Sequence, residues 1–198
     1  MRAGGVGVVG CSVLGVLALA GCSNPQPRDT TAPSSPTATT GSPAPSSSID
    51  PRAQPAVDAY TAFAAASTNA SRNPLPLGST YPAAADYTRY SFDPIRAQTS
   101  AYLAGLAEQK VRFKGTPPAP RVRIQSIDLD AKPHPSVMLT DCQKPGSDWE
   151  EYDDAGHRVP DAPASASPPY LVTATMIYYK DHWGLQSTTA DTSRTCTG

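Results

Sequence analysis

Four cysteines, three histidines and one acidic run are the residues of this 198-residue chain whose types invite a chemical role. The histidines, His134, His157 and His182, are far apart and sit in predicted turns, so the reading is of surface residues and not of a metal trio. Hard cations want converging carboxylates. The run Asp148, Glu150, Glu151, Asp153, Asp154 lies on a predicted strand, where neighbours diverge to opposite faces. It reads as a solvated hairpin. No GxSxG, HExxH, Walker loop, CxxC or GxGxxG occurs. No cofactor, no metal and no enzymatic activity are expected from these absences. A formal charge of −1 lacks the basic excess of a nucleic-acid surface, so no nucleic-acid partner is expected.

The cysteines are more informative. Arg2 precedes an apolar run, 6–20, of signal-peptide length and short for a membrane span. It ends at Leu19-Ala20-Gly21-Cys22, which resembles the bacterial lipobox. That resemblance implies a diacylglycerol on the Cys22 thiol, cleavage before Cys22 and a location on the outer face of the cell membrane. Two or more acyl chains anchor a protein stably. On this reading 1–21 is a signal peptide, Cys11 leaves with it, and Cys22 becomes a thioether. Cys142 and Cys196 remain, in an oxidising compartment, as a single disulfide pairing. Two reduced thiols or a metal pair are the alternatives. Such a bridge closes a loop of about 55 residues, worth about 4 kcal/mol on the chain-entropy account.

These residues must be carried by something. Residues 22–50 comprise the lipidated cysteine and a disordered tether: of the 28 residues 23–50, eighteen are Pro, Ser or Thr, and Ile49 is the only large apolar one. Such composition cannot offset its ordering entropy. As a coil it spans roughly 30 Å, stretched about 85 Å, and it can carry O-glycans. Residues 51–198 are then the folded domain. Ala56, Val57, Tyr60, Phe63, Ala64 and Ser67 share a helical face. Asp50-Pro51 offers a cap and a first position, with Pro55 an alternative start. A short second helix is expected at 82–88. A third, at 94–110, would be capped by Asp93-Pro94 and carry the stripe Ile95, Thr99, Tyr102, Leu103, Leu106.

The period then becomes two. Strands are expected at 111–114, 121–130, 137–142, 148–153, 170–179 and 183–187, with a turn at 154–157 and a loop at 160–169. In the second, Val122 and Ile124 have one parity and Ile127 and Leu129 the other, which predicts a bulge near Gln125-Ser126. Trp183, at the start of the last strand, is expected to be largely buried with Leu185 on its face. Helices followed by a meandering antiparallel sheet make an α+β domain, with the N-terminal helices packed on one sheet face.

Ala59-Tyr60 with Phe63, Asp141-Cys142, Trp149, Thr173-Ala174-Thr175, Trp183 and Cys196 follow one another in the order found in secreted Gram-positive lipoproteins with a nuclear-transport-factor-2-like, or ketosteroid-isomerase-like, cone. The resemblance spans 51–196. It implies a curved, cone-like sheet, a bridge from a middle strand to the C-terminal tail, and a pocket between sheet and helices. Tyr60, Tyr87, Tyr90, Tyr102, Asp128 and Asp141 are the pocket candidates of the types used in the isomerase branch, where an Asp is the base and a Tyr with an acid stabilises the enolate. None matches that branch's catalytic motif, so no catalytic role is carried over. Asp141, beside Cys142, reads as structural, and the tyrosines as rim residues with bonded hydroxyls. The functional expectation is a membrane-anchored, non-enzymatic lipoprotein of the cell envelope that binds a small apolar ligand, a cell-wall component or an envelope protein. An isomerase- or hydratase-like enzyme and an accessory module of peptidoglycan synthesis are the alternatives.

Overall fold

The computed structural model describes residues 50–144, 148–159 and 168–196. The signal peptide, Cys22, nearly all of the tether and most of the 160–169 loop lie outside the described residues.

Helix α1 is Gln54–Arg72. Pro55 falls in its first turn, where its missing N–H costs no intrahelical bond. Asp50 does not cap it. Its carboxylate instead takes the Arg52 backbone N–H at 2.9 Å and the Arg52 guanidinium at 2.8 Å, and Ala53 stands at the cap without a side-chain bond. The second expected helix is split into two single 3₁₀ turns, Ala83–Ala85 and Tyr87–Tyr90. Asp86 divides them because its carboxylate accepts the Thr88 N–H and starts the second turn. Helix α2 is Ile95–Glu108. Asp93 does not cap it: Pro94 occupies the cap position, after a cis peptide bond.

Six strands follow: β1 Arg112–Lys114, β2 Val122–Asp128, β3 Ser136–Gln143, β4 Glu150–Tyr152, β5 Tyr170–Tyr179 and β6 His182–Thr195. They do not form one meander. β1 pairs with β4 as a separate two-stranded ribbon, while β2-β3-β5-β6 form an antiparallel sheet. The register shifts between Ile124 and Ser126, so that Ile124 pairs with Leu139 and Ile127 with Val137. One extra residue restores the apolar set to the same face, so all four apolar residues of β2 and the following turn, Val122, Ile124, Ile127 and Leu129, reach the core. β6 is nearly three times the expected length. Its polar second half, Ser187 to Thr195, is held by pairing with β5 and not by its own pattern.

Val137 and Leu139 of β3, Ala174 and Met176 of β5 and Leu185 of β6 form the buried sheet face. Ala56 and Tyr60 of α1 and Ile95 of α2 cover it. A second cluster, Ala66, Ala70, Ala85, Tyr87, Leu103 and Leu106, joins α1, the 3₁₀ turns and α2. The alanines on α1 let its backbone lie close to both. Phe92 donates its N–H to the Leu185 carbonyl at 2.9 Å, and its ring lies where a Cβ on Gly184 would stand. That close approach is why Gly184 has no side chain. Cys142 and Cys196 form a disulfide, with Cα atoms 5.8 Å apart. It joins the end of β3 to the residue after β6, across β5, as the expected bridge from a middle strand to the C-terminal tail.

Candidate functional site

A cleft opens between α1, α2 and β6. Two adjoining depressions, of about 390 and 400 Å³, share Phe63, Ser67, Thr68, Leu185 and Thr188. Leu103, Ile95 and Leu185 floor the first. Its outer end is flanked by Phe113 of β1 and Trp149, just before β4, which stack at 5.2 Å and 18°, and the Arg72 guanidinium lies 5.1 Å from the Trp149 ring. The Ser67 and Ser71 hydroxyls donate to carbonyls of their own helix, at 2.9 and 3.0 Å, so they present acceptor oxygens to the cleft. The inner end is lined by Tyr60, Gln143 and Tyr170.

Behind that inner end lies a buried polar cluster. Asp141 is 2% exposed and Tyr60 is 4% exposed. The Tyr60 hydroxyl donates to Asp141 Oδ2 at 2.9 Å, the Arg121 backbone N–H to Oδ1 at 2.7 Å, and Gln143 Nε2 to Oδ2 at 3.4 Å. Tyr170 donates in turn to Gln143 Oε1 at 2.9 Å. Position 141 is fixed by β3, whose alternation turns Val137, Leu139 and Asp141 toward α1. Burial, and then the charge of Asp141, hold the Tyr60 phenol far above its ordinary value. The carboxylate is thus met by three donors. It ties α1 to the sheet, and at 2% exposure it belongs to the lining of neither depression.

Of the pocket candidates, only Tyr60 and Asp141 come together. Tyr102 stands at the outer end of the same cleft, 51% exposed, its phenol pushed up by partial desolvation and then by Glu151. Tyr87 is a core residue whose hydroxyl meets Ser100 Oγ at 2.8 Å. Tyr90 lines a different groove, across α1. Asp128 is not a pocket residue: it is exposed at the last position of β2, opposite Ser136, and its carboxylate accepts the Asp130 N–H at 3.2 Å. β2 and β3 run antiparallel, which sends Asp128 and Asp141 to opposite ends of the hairpin. Trp183 is half-buried, not largely buried, while Leu185 is 1% exposed. The sheet rows put both on the helix side, but Trp183 stands at its margin, on Tyr178 at 5.7 Å.

Phe113, Trp149, Gln143, Tyr170 and Thr188 were not singled out for the site by the sequence. Only Trp149, an aromatic inside an acidic run, carried a signal. The acids themselves diverge. Glu150 pairs with Arg158 at 2.8 Å, Asp153 binds the His157 N–H at 2.7 Å, and Asp148 accepts the Thr116 N–H at 3.2 Å. Among the described residues no three His, Cys, Asp or Glu side chains are grouped to hold a metal ion.

No protein-family model and no curated protein matches the chain. Among solved structures, the intermembrane space region of the chloroplast protein ARC6 is similar at 8% identity, over 68% of this chain and 95% of its own, with a TM-score of 0.37. That distance carries no residue role to this chain.

Proposed function

We propose that the chain is a lipid-anchored, extracytoplasmic binding domain without catalytic activity, and that the cleft between α1, α2 and β6 takes a small, largely apolar ligand. The observation that carries the binding reading is the seclusion of Asp141, which is 2% exposed, lines neither depression and is engaged by three donors. A general base needs a lone pair within reach of substrate. What remains is a partly apolar depression with a few fixed polar groups, the usual makeup of a small-molecule site. Tyr60 and Asp141 are the pair that an isomerase-like reading would use, and their mutual bond is what speaks against it. The anchor rests on Leu19-Ala20-Gly21-Cys22. No helix among the described residues is long and apolar enough to cross a membrane.

The test has two arms. Cys22→Ala should abolish lipid labelling and release the protein from the membrane fraction; a variant still acylated and membrane-bound ends the lipoprotein reading. Native mass spectrometry of the full chain from detergent-solubilised membranes should show an added small-molecule mass that Leu103→Trp, which fills the cleft floor, removes. A ligand mass unchanged in that variant rules the cleft out.

A further inference from the structure

We propose that a second groove, on the opposite flank of α1, is a saccharide-binding site. It encloses about 920 Å³ between the first two turns of α1, the second 3₁₀ turn and the β5–β6 hairpin. It shares no lining residue with the cleft, so this proposal is independent of the one above.

Two features define what fits. The first is aromatic. Tyr178 and Trp183 meet at 5.7 Å with their planes tilted by 58°, Tyr90 belongs to the same lining, and Tyr178 is 39% exposed. Exposed Tyr and Trp faces offer flat apolar surface at small entropic cost. The second is a balanced set of hydrogen-bonding groups. Arg89 and Arg96 bring donors and Asp58 and Asp181 bring acceptors, so neither an anion nor a cation is selected.

Several of these groups are held in place. Arg96 Nη2 donates to the Thr88 and Ser91 carbonyls, which fixes its guanidinium. Asp58 Oδ1 accepts from Gln54 Nε2 at 2.7 Å, leaving Oδ2 for a ligand. His182 Nδ1 meets the Lys180 carbonyl oxygen at 2.9 Å and must donate to it, so in the neutral ring Nε2 is an acceptor.

A pyranose has this complement: C–H faces for the rings, and neighbouring hydroxyls that both donate and accept. A proline-rich peptide fits less well. It would use the aromatic ridges but desolvate four charged side chains with little to offer them.

The chain has two tryptophans, so in the full chain carrying Trp149→Phe the emission reports Trp183 alone. Titration with β-1,4-linked N-acetylglucosamine tetramer, cellotetraose and maltotetraose should give, for at least one, a saturable shift in that emission. Isothermal titration of the unsubstituted full chain should show the same ligand binding. Asp58→Asn and Arg89→Ala, both at exposed positions, should each weaken binding at least about tenfold while leaving the melting curve unchanged. The proposal is overturned if no glycan of the panel gives a saturable response by either method at millimolar concentration. It is equally overturned if both variants bind as the parent does, or if a proline-rich decapeptide saturates the Trp183 response where the glycans do not.

Discussion

Removing the Tyr60 hydroxyl is the sharpest test of how α1 is held to the sheet. In Tyr60→Phe the ring keeps its place, and the lost interaction is the 2.9 Å bond to Asp141 Oδ2. A hydrogen bond to a charged acceptor contributes about 1.5–3 kcal/mol. Here the carboxylate retains the Arg121 and Gln143 donors, so a cost of about 2 kcal/mol is expected, or roughly 4–8 °C in Tm for a domain of this size. Asp141→Ala should cost more, about 3–5 kcal/mol, because the buried Tyr60 O–H and the Arg121 N–H both lose their acceptor at about 1–3 kcal/mol each and a small void is added. Asp141→Asn should cost only about 1 kcal/mol, since its amide oxygen can accept from Arg121 and its NH₂ can donate to Tyr60. Urea unfolding of the two singles and the double variant measures the coupling directly. If Tyr60→Phe and Asp141→Ala add to within about 0.3 kcal/mol, the bond contributes nothing and the reasoning is refuted. If Asp141→Asn folds with parental stability and yet loses ligand, the carboxylate has a role in the cleft that its burial denies.

Other outcomes follow from the same geometry. Reduction of Cys142–Cys196 should add two hydrogens to the intact mass and lower stability by about 4 kcal/mol; alkylation of both thiols without reductant would contradict the bridge. Leu185→Ala, at a fully buried site, should cost about 2–5 kcal/mol, whereas half-buried Trp183→Ala should cost only about 2 kcal/mol; the reverse order in chemical denaturation would show that the β6 register is wrong. Gly184→Ala should destabilise by driving a methyl into the Phe92 ring, and an unchanged melting temperature would rule that contact out. Tyr60 binds its proton more tightly folded than unfolded, so its contribution is complete below about pH 10 and is lost as pH rises beyond it. Tyr60→Phe should therefore flatten the alkaline fall in stability, and an identical pH profile in the variant would sink that assignment.

Much of the secondary structure was legible in the chain itself. Apolar spacing of 3–4 marks α1 and α2, alternation marks β3 and β5, and the parity switch in β2 announces its bulge, because each is a local consequence of side-chain periodicity. The cysteine pair was legible too. The tertiary structure decided what pairs with what. β1 and β4 are three residues each, too short for their pattern to choose between joining the main sheet and leaving it. The polar half of β6 has no strand signal of its own and is ordered by β5. Tyr60 and Asp141 are 81 residues apart, and Asp128, the same type on the neighbouring strand, differs only in lying at the other end of the hairpin. Tyr60 and Tyr90 read alike as rim tyrosines, yet α1 stands between their two grooves. Periodicity says which face a residue shares with its neighbours in sequence; which face of another element meets it depends on long-range packing, where burial and saturated hydrogen bonds are settled for the whole chain at once.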